Sequence, residues 1–249
     1  TGGRSVKVGL AHLGVVAYII ASSALVFAFP QSVLAFLCFE ASLLVIYHAR
    51  VDQTTKLCLG AIVLLVLLPL LGSVNGYYLE VAIQVGIFVV LALGLNIVVG
   101  FVGLLNLGFV AFYAIGAYLW AIFGSPQANH FIPGNLFPLS SVWFFPFLLL
   151  SVGVGALTGA LLGLPVLRLR GDYLAVVTLG FAEVVRALVN NFDKPINITN
   201  GPKGITPIEK PPLFFQPLLE FLGFSVDPST LYPFYFYFIV LFIVLLTVL

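Results

Sequence analysis

The chain has 249 residues, of which 61% are hydrophobic and only 8% are charged. Because a soluble globular domain carries about 25% charged residues, this composition excludes a soluble fold. The formal net charge of +1 provides neither a basic surface for nucleic acid nor an acidic tail for a basic partner.

Eight apolar segments follow one another along the chain. Stretches of about 18 or more apolar residues predict helices that cross a membrane. The segments cover residues 8–29, 31–48, 57–74, 79–100, 104–124, 142–167, 172–191 and 231–249. The first follows Arg4 and Lys7, as in a signal peptide, but its apolar run continues through Phe29, which favours an uncleaved helix. The predicted fold class is therefore all-α, a polytopic transmembrane helical bundle with about eight membrane segments.

The basic residues between these segments predict the orientation, because cytoplasmic loops retain Lys and Arg. A cytoplasmic N-terminus places six basic residues inside: Arg4, Lys7, Arg50, Lys56, Arg168 and Arg170. Three remain outside: Lys194, Lys203 and Lys210. The opposite orientation would export Arg168 and Arg170, which occupy a very short loop where the rule is strongest. We therefore predict a cytoplasmic N-terminus and an outward-facing loop at 192–230.

This outward loop is the longest connection between the segments. It is rich in residues that interrupt regular structure: Pro195, Pro202, Pro207, Pro211, Pro212, Pro217, Pro228, Gly201, Gly204 and Gly223. Little regular secondary structure is expected over much of it. Because long uninterrupted loops in compact proteins are usually functional or disordered, a docking surface and a plain connector both stay open.

Reactive side chains form no catalytic or metal-binding pattern. His12, His48 and His130 lack metal-ligand spacing, and no Walker A, H-E-x-x-H or G-x-S-x-G motif occurs. Cys38 and Cys58, the only cysteines, lie in apolar runs and are interpreted as core thiols. We expect no catalytic residue, no metal site and no enzyme activity in this chain.

The stretch GLNIVVGFVGLLNLG, residues 94–108, places four glycines and two asparagines in apolar sequence. It should not form one plain helix, because glycine permits bends. Irregular backbone at membrane depth is tolerated where protein or a water-filled cavity satisfies its polar groups, which favours a transport pathway. The other interpretation is a tight turn in which glycines allow close packing and Asn96 and Asn106 form hydrogen bonds between helices.

The stretch GALTGALLG spaces Gly155, Gly159 and Gly163 four residues apart. All three lie on one face of the predicted helix and would let a neighbouring backbone approach closely. We interpret this face as a packing feature, whose partner helix belongs to this chain or to another subunit.

The segment that begins at Asp172 carries ionisable residues at membrane depth. Glu183 and Arg186 share a helix face at a spacing of three, and Asn190 lies one turn further. Glu183 is roughly 16 Å from the start of the segment at about 1.5 Å per residue, close to mid-bilayer. Such residues indicate a pathway or a partner contact, and the alternative is an ion pair that only holds helices together. Glu40 presents the same question with no partner visible in the sequence.

Several blocks together resemble a known family. They are GLNIVVGFVGLLNLG at 94–108, FYAIGAY at 112–118, LPVLRLRGDYLAVVTLGFAEVVR at 164–186 and NITNGPKGI at 197–205. These blocks resemble the branched-chain amino acid ABC importer permeases, specifically the larger, LivM-type subunit. The resemblance implies a multi-pass subunit of the bacterial plasma (inner) membrane in a heteromeric importer.

The resemblance also implies partners and their contact sites. They are a second homologous permease, two cytoplasmic ATPases that bind ATP and Mg, and a periplasmic substrate-binding protein, so this chain itself needs no cofactor. The residues implied to lie near the ATPases are Arg168, Arg170 and Asp172. Those implied to face the binding protein are Asn200, Gly201, Pro202, Lys203 and Gly204. The family usually reads TGGPNG there, so Asn200 and Lys203 are departures that bear on substrate identity more than on fold.

The same comparison divides the chain into two parts. Residues 1–78 are interpreted as extra N-terminal transmembrane helices, and residues 79–249 as the importer permease core. Family members continue into a cytoplasmic coupling helix and further membrane helices, so we expect the core to be truncated at its C-terminus.

The leading hypothesis is a permease that moves branched-chain or other neutral amino acids inward by alternating access. The residues expected to line or shape the path are Glu183, Arg186, Asn190, Asn96 and Asn106. Related permeases for urea or short amides are an alternative, and so is an ion-coupled secondary carrier, which also uses broken helices near the midplane. A structural subunit without a pathway is a third class.

Overall fold

The computed structural model describes residues 2–49, 51–103, 106–166, 172–213 and 228–248. Within these ranges the chain forms helices and their connections, without a strand. The helices are α1 (Gly2–Ala28), α2 (Val33–His48), α3 (Gln53–Ile62), α4 (Leu68–Val74), α5 (Gly76–Ile97), α6 (Phe109–Phe123), α7 (Phe144–Val166), α8 (Asp172–Asn191) and α9 (Pro228–Val248). One π-helical turn, Val63–Leu67, joins α3 to α4, and another, Val98–Val102, follows α5. The predicted all-α fold class is confirmed.

Five helical stretches in the described ranges are long and apolar enough to cross a membrane. They are Gln53–Val74, Gly76–Phe101, Ser141–Leu164, Tyr173–Asn191 and Pro228–Val248. Three shorter apolar helices are His12–Ala28, Val33–His48 and Phe109–Phe123. These eight stretches coincide with the eight apolar segments of the sequence. The short α6 extends only about 22 Å at about 1.5 Å per residue, against about 30 Å of hydrocarbon.

Contacts between helices divide the chain into two compact units. The first unit comprises residues 1–88 and 216–249, and the second comprises residues 89–215. The division falls inside α5. The predicted family division between residues 78 and 79 is a different kind of boundary and stays a prediction.

The first unit is organised around one apolar core. Its α1 packs against α2 and α4, and α2 also packs against α3. The buried core residues are Val15, Ile19, Val26, Ala35, Phe36, Phe39, Ile46, Val63, Leu68, Leu71, Tyr78, Leu79, Tyr237 and Leu241. Apolar side chains from α1, α2, α4, α5, α9 and the first π-helical turn thus meet in one continuous cluster.

Polar contacts fix the turn between α1 and α2 to the start of α5. The carbonyl oxygen of Pro30 accepts hydrogen bonds from the Asn75 side chain at 2.9 Å and from the Tyr78 hydroxyl at 2.6 Å. The Tyr78 ring stacks on Phe36 with 4.4 Å between ring centroids. These contacts satisfy a turn carbonyl that no helix could pair.

A proline explains the hydrogen bond that α9 makes to the first π-helical turn. In this turn the Leu68 N–H donates to the Val63 carbonyl, five residues earlier. At the same spacing of five residues, the Leu64 carbonyl would accept a hydrogen bond from residue 69, but this residue is Pro69, which has no N–H. The Tyr237 hydroxyl donates to that carbonyl instead, at 2.7 Å. The Leu64 carbonyl, which the proline leaves without a backbone donor, therefore links the first π-helical turn to α9.

Glu40, for which the sequence offered no partner, lies on α2 of the first unit. Its side chain is half-buried.

The interpretation of Cys38 and Cys58 as core thiols was wrong. Both thiols are free and exposed on the surface of the chain. Apolar neighbours in a membrane helix do not imply burial, because lipid-facing surfaces are as apolar as the interior.

In the second unit α6 packs against both α7 and α8. Aromatic rings join α6 to α7: Trp120 lies 5.6 Å and Phe123 5.3 Å from Phe147, measured between ring centroids. Within the described part of this unit, no atom approaches closely the predicted small-residue face of α7. An added Cβ at Gly159 would meet only Phe112, at 3.9 Å, and at Gly155 it would meet nothing within 4 Å in the described part of the chain. Its packing partner stays a prediction.

Candidate functional site

The candidate site begins where α5 gives way to α6. After Ile97 the helix widens into the second π-helical turn, and it ends at Gly103, whose φ of 69° is left-handed. The Gly103 N–H caps the turn by donating to the Val99 carbonyl at 3.0 Å. Glycine adopts this conformation at no steric cost. The stretch 94–108 is therefore not one plain helix, as its glycines indicated.

The chain re-enters helical structure against the N-terminal half of α8. The Asn106 side-chain oxygen accepts the Gly108 N–H at 2.8 Å, and the Thr178 hydroxyl accepts the Leu107 N–H at 3.0 Å. Thr178 in turn donates to the Ala175 carbonyl at 3.1 Å. A Cβ on Gly108 would lie 2.7 Å from the Thr178 carbonyl oxygen, so only glycine allows this approach. The helix break is thus attached to α8 by one hydroxyl and one glycine.

Thr178 is the residue of this site that sequence reasoning missed. It is 8% exposed and supplies the hydrogen bond that the broken backbone needs. Its signal in the sequence was a hydroxyl in an apolar helix, five residues before Glu183. Threonine is common in membrane helices, so this signal alone does not distinguish it.

An open groove of about 390 Å³ runs between α6 and α8. Apolar side chains line most of it: Leu107, Val110, Ala111, Ala114, Leu179, Ala182, Val185 and Val189. Its polar residues are Glu183, Arg186 and Asn190. The structure therefore brings three of the five predicted path residues into one groove.

Glu183 and Arg186 form a loose ion pair in this groove. Arg186 Nη1 lies 3.6 Å from Glu183 Oε1, and the two side chains are 73% and 64% exposed, Arg186 being the more exposed. Charge-assisted hydrogen bonds are normally about 2.7 to 2.9 Å long, so this contact is weaker than a full one. Both charged groups remain accessible from the groove.

The other two predicted path residues lie elsewhere. Asn106 lines a separate cavity of about 80 Å³ beside Phe112, Gly159 and Thr178. Its hydrogen bond to Gly108 is local, so it shapes the helix break instead of joining two helices. Asn96 is exposed near the end of α5 and does not line the groove.

A second, larger opening lies between α6, α7 and α8. It has a volume of about 490 Å³ and is lined mainly by apolar side chains such as Leu119, Phe181 and Leu188. Among the described residues its polar lining consists of Tyr118, Thr158 and Thr199, with no Asp, Glu, Lys, Arg or His. Charge thus distinguishes the groove from its apolar neighbour.

The groove ends beside the segment that the resemblance assigned to a binding protein. The Thr199 hydroxyl donates to the Val189 carbonyl at 2.6 Å, and a Cβ on Gly201 would meet the Asn190 carbonyl oxygen at 3.1 Å. Asn200 adopts a left-handed φ of 60°. Asparagine tolerates this conformation better than most residues other than glycine.

Asn200 also organises its own loop. Its backbone N–H donates to the Asn197 side chain at 2.9 Å, and its side chain donates to the Gly204 carbonyl at 2.7 Å. Between residues 192 and 213 the only regular structure is the 3-10 turn Gly201–Lys203. Pro202 and Lys203, at the tip of this turn, are exposed.

The same loop is hydrogen-bonded to α6 and to the connection between α6 and α7. The Gln127 side chain donates to the Asn197 carbonyl at 3.0 Å. The Trp120 indole donates to the Glu209 carbonyl at 3.0 Å, and the Glu209 N–H donates to the Gly124 carbonyl at 2.7 Å. Hydrogen bonds therefore give the described part of this loop a defined conformation despite its many prolines.

Two of the three residues implied to lie near the ATPases lie outside the part of the chain that the structure describes. Arg168 and Arg170 lie outside the described residues, and Asp172 is the first residue of α8. Among the described residues, no three His, Cys, Asp or Glu side chains cluster as a metal site would require.

Comparison with known proteins identifies relatives of this chain. The family described as "Branched-chain amino acid transport system / permease component" matches residues 77–249. The high-affinity branched-chain amino acid transport system permease protein LivM of Salmonella typhimurium (strain LT2) is 44% identical over 162 residues, 60% of this chain and 34% of the relative. The LivM protein of Escherichia coli (strain K12) is 43% identical over the same length, with the same coverage. The match thus spans about a third of each relative's length, and no solved structure matches the chain.

Proposed function

Since the chain belongs to the family of branched-chain amino acid transport permease components, we propose that it is a transmembrane subunit of an ATP-driven importer. Its proposed cargo is branched-chain or other neutral amino acids. One observation carries the proposal: the charged groove between α6 and α8 lies within residues 77–249, the part that the family matches. In this proposal the chain forms the translocation path together with a second, homologous permease.

The family and the apolar helices make the chain a multi-pass protein of the bacterial inner membrane. The relatives that it resembles are transport permeases. We propose that two cytoplasmic ATPase partners bind ATP and Mg²⁺ and that a periplasmic binding protein delivers the amino acid. On this proposal the chain itself catalyses no reaction.

The proposed path follows the groove. Glu183, Arg186 and Asn190 line it, and Asn106 shapes the helix break beside it. Support comes from the break itself, because irregular backbone at membrane depth is tolerated where it lines a cavity or is buried in protein. The loosely paired charges also need a polar environment, which an aqueous path supplies.

The proposed orientation retains the cytoplasmic N-terminus. It places the tip of the loop at Pro202 and Lys203 outside, facing the binding protein, and Arg168, Arg170 and Asp172 inside, facing the ATPases. Replacing Cys38 and Cys58 with serine would permit labelling of Lys203→Cys by a membrane-impermeant thiol reagent in intact cells. Labelling of Lys203→Cys with no labelling of a Lys56→Cys control is expected; the reverse result would invert the topology.

Transport by the assembled importer tests the proposal. The permease would be purified from mild detergent with its partners, and ATP hydrolysis and uptake would be measured with binding proteins loaded with leucine, another neutral amino acid or urea. We expect co-purified ATPases, stimulation by an amino-acid-loaded binding protein, and ATP-dependent uptake. Stimulation by loaded urea instead would reassign the cargo, and uptake without an ATPase would indicate an ion-coupled carrier.

A further inference from the structure

The ion pair in the groove leaves much of its hydrogen-bonding capacity unused. Arg186 has five N–H donors, and its contact with Glu183 is a single one of 3.6 Å. Both side chains are more than half exposed. At membrane depth such charges are costly unless polar groups satisfy them. The pair therefore fits poorly as a purely structural link and well as two groups that can receive other partners.

The groove also has a distinct apolar part. Across from the charges, α6 contributes Val110, Ala111 and Ala114, and α8 adds Leu179 and Val189. The volume of about 390 Å³ falls in the range of about 300 to 1,000 Å³ that is usual for small-molecule sites. The α8 side thus offers a carboxylate and a guanidinium, and the facing α6 side offers aliphatic surface.

This division matches a molecule with two opposite charges at one end and an aliphatic side chain at the other. A zwitterion would give Arg186 a carboxylate and Glu183 an ammonium group. Each side chain would thus replace its contact with the other by a contact with an oppositely charged group of the ligand. No net charge would be added to the groove. The described lining of the neighbouring 490 Å³ opening carries no such charges and offers a site only for the aliphatic part.

We propose that Glu183 and Arg186 form a transient binding site for the head group of a single amino acid, with the carboxylate on Arg186 and the ammonium on Glu183. The aliphatic side chain lies against Val110, Ala111 and Ala114. This inference rests on the proposed function and adds to it a substrate contact within the permease itself.

Binding to the assembled importer in lipid nanodiscs, without the binding protein, tests the site. The probe is radiolabelled leucine, and the competitors are 4-methylpentanoate, which lacks the amino group, and 3-methylbutylamine, which lacks the carboxylate. Because a hydrogen bond to a charged group contributes about 1.5 to 3 kcal/mol, leucine should compete roughly tenfold or more better than either analogue. Equal competition by all three, or no leucine binding, would overturn the inference.

Two substitutions assign each charge to its part of the ligand. Glu183→Gln should remove the preference for leucine over 4-methylpentanoate and keep the preference over 3-methylbutylamine. Arg186→Gln should remove the preference for leucine over 3-methylbutylamine and keep the preference over 4-methylpentanoate. If the pair had only a structural role within α8, both variants would change binding of all ligands by the same factor, and unchanged preference ratios would contradict the proposal.

Conservative and control variants complete the test. Glu183→Asp keeps the charge and should retain the preference over 4-methylpentanoate with a severalfold lower affinity, which keeps the assignment testable if Glu183→Gln does not assemble. Glu80→Gln makes the same chemical change at an exposed site on α5 outside the groove and should leave leucine affinity within about twofold.

Uptake separates this inference from the proposed function. Wild-type importer that transports leucine with its binding protein, but shows no head-group preference in the groove, would overturn the site and leave the function intact. Absence of ATP-dependent uptake would overturn the function itself.

Discussion

The two units of the chain differ in what they bury. The first unit encloses one continuous apolar cluster in which Phe39, Leu71 and Leu79 are fully buried. In the second unit the described residues bury a smaller apolar set together with polar groups, Thr178 and Thr199 among them. The polar groups lie where the backbone is irregular, at the helix break and in the loop after α8. The first unit is thus organised around a packed core, and the second contains an open groove.

Phe39→Ala should have the largest effect on stability, because it creates a cavity in the packed unit. Phe39 is 0% exposed, and Phe→Ala changes in well-packed cores cost about 3 to 5 kcal/mol. Denaturant unfolding of the purified permease in mild detergent would measure the loss. Phe88→Ala, at a 65% exposed position of the same unit, is the matched control and should change stability by no more than about 0.5 kcal/mol. Equal losses would contradict the packed-core description.

Gly108→Ala should disrupt the second unit at the contact between the helix break and α8. The new Cβ would lie 2.7 Å from the Thr178 carbonyl oxygen, and such overpacking costs about 1 to 3 kcal/mol. We expect lower stability and reduced uptake. Gly116→Ala, on the same helix with open space around it, should be neutral or stabilising by up to about 1 kcal/mol. A destabilised Gly116→Ala with an unaffected Gly108→Ala would refute the close contact.

Thr178→Val tests the hydroxyl that attaches the break to α8. Valine keeps the shape but leaves the Leu107 N–H without its acceptor, which costs about 1 to 2 kcal/mol. Hydrogen exchange of the Leu107 amide should accelerate, and Thr178→Ser should restore protection. Thr158→Val is the control, since the Thr158 hydroxyl only donates to carbonyls of its own helix. Unchanged exchange in Thr178→Val would exclude this role.

Asn200→Ala should have the smallest effect, confined to the loop after α8. Alanine at a φ of 60° costs about 1 kcal/mol, and the hydrogen bonds of the Asn200 side chain to Asn197 and Gly204 are lost as well. Asn200→Gly loses the same hydrogen bonds without the backbone strain. Local hydrogen exchange at residues 199–204 should therefore increase more for alanine than for glycine. The reverse order would argue against the left-handed conformation.

Local sequence patterns predicted the helical stretches, the helix break and the shared side of α8. Apolar length located the eight helical stretches, and the glycines at 94–108 indicated the helix break. Helical spacing placed Glu183, Arg186 and Asn190 on one side of α8, and the structure gathers them in one groove. These features follow from periodicity and backbone propensity, which a short window of sequence contains.

Features that depend on tertiary packing were not predicted. The role of Thr178 arises only when the break approaches α8, and Tyr237 binds the Leu64 carbonyl across 173 positions of sequence. The exposure of Cys38 was misjudged because lipid-facing and core-facing apolar residues look alike in a sequence. Asn96 was placed with the path by proximity to the glycines, whereas the structure leaves it outside the groove.

The most direct test of the central claim is substrate protection of a groove position during transport. Ala182→Cys would be introduced on α8, where Ala182 lines the groove, after replacement of Cys38 and Cys58 by serine. We predict that a small water-soluble thiol reagent modifies this cysteine and blocks uptake, and that leucine with its binding protein and ATP slows the modification. Continued uptake with an unreactive cysteine, or a modification rate that leucine does not change, would contradict a translocation path through this groove.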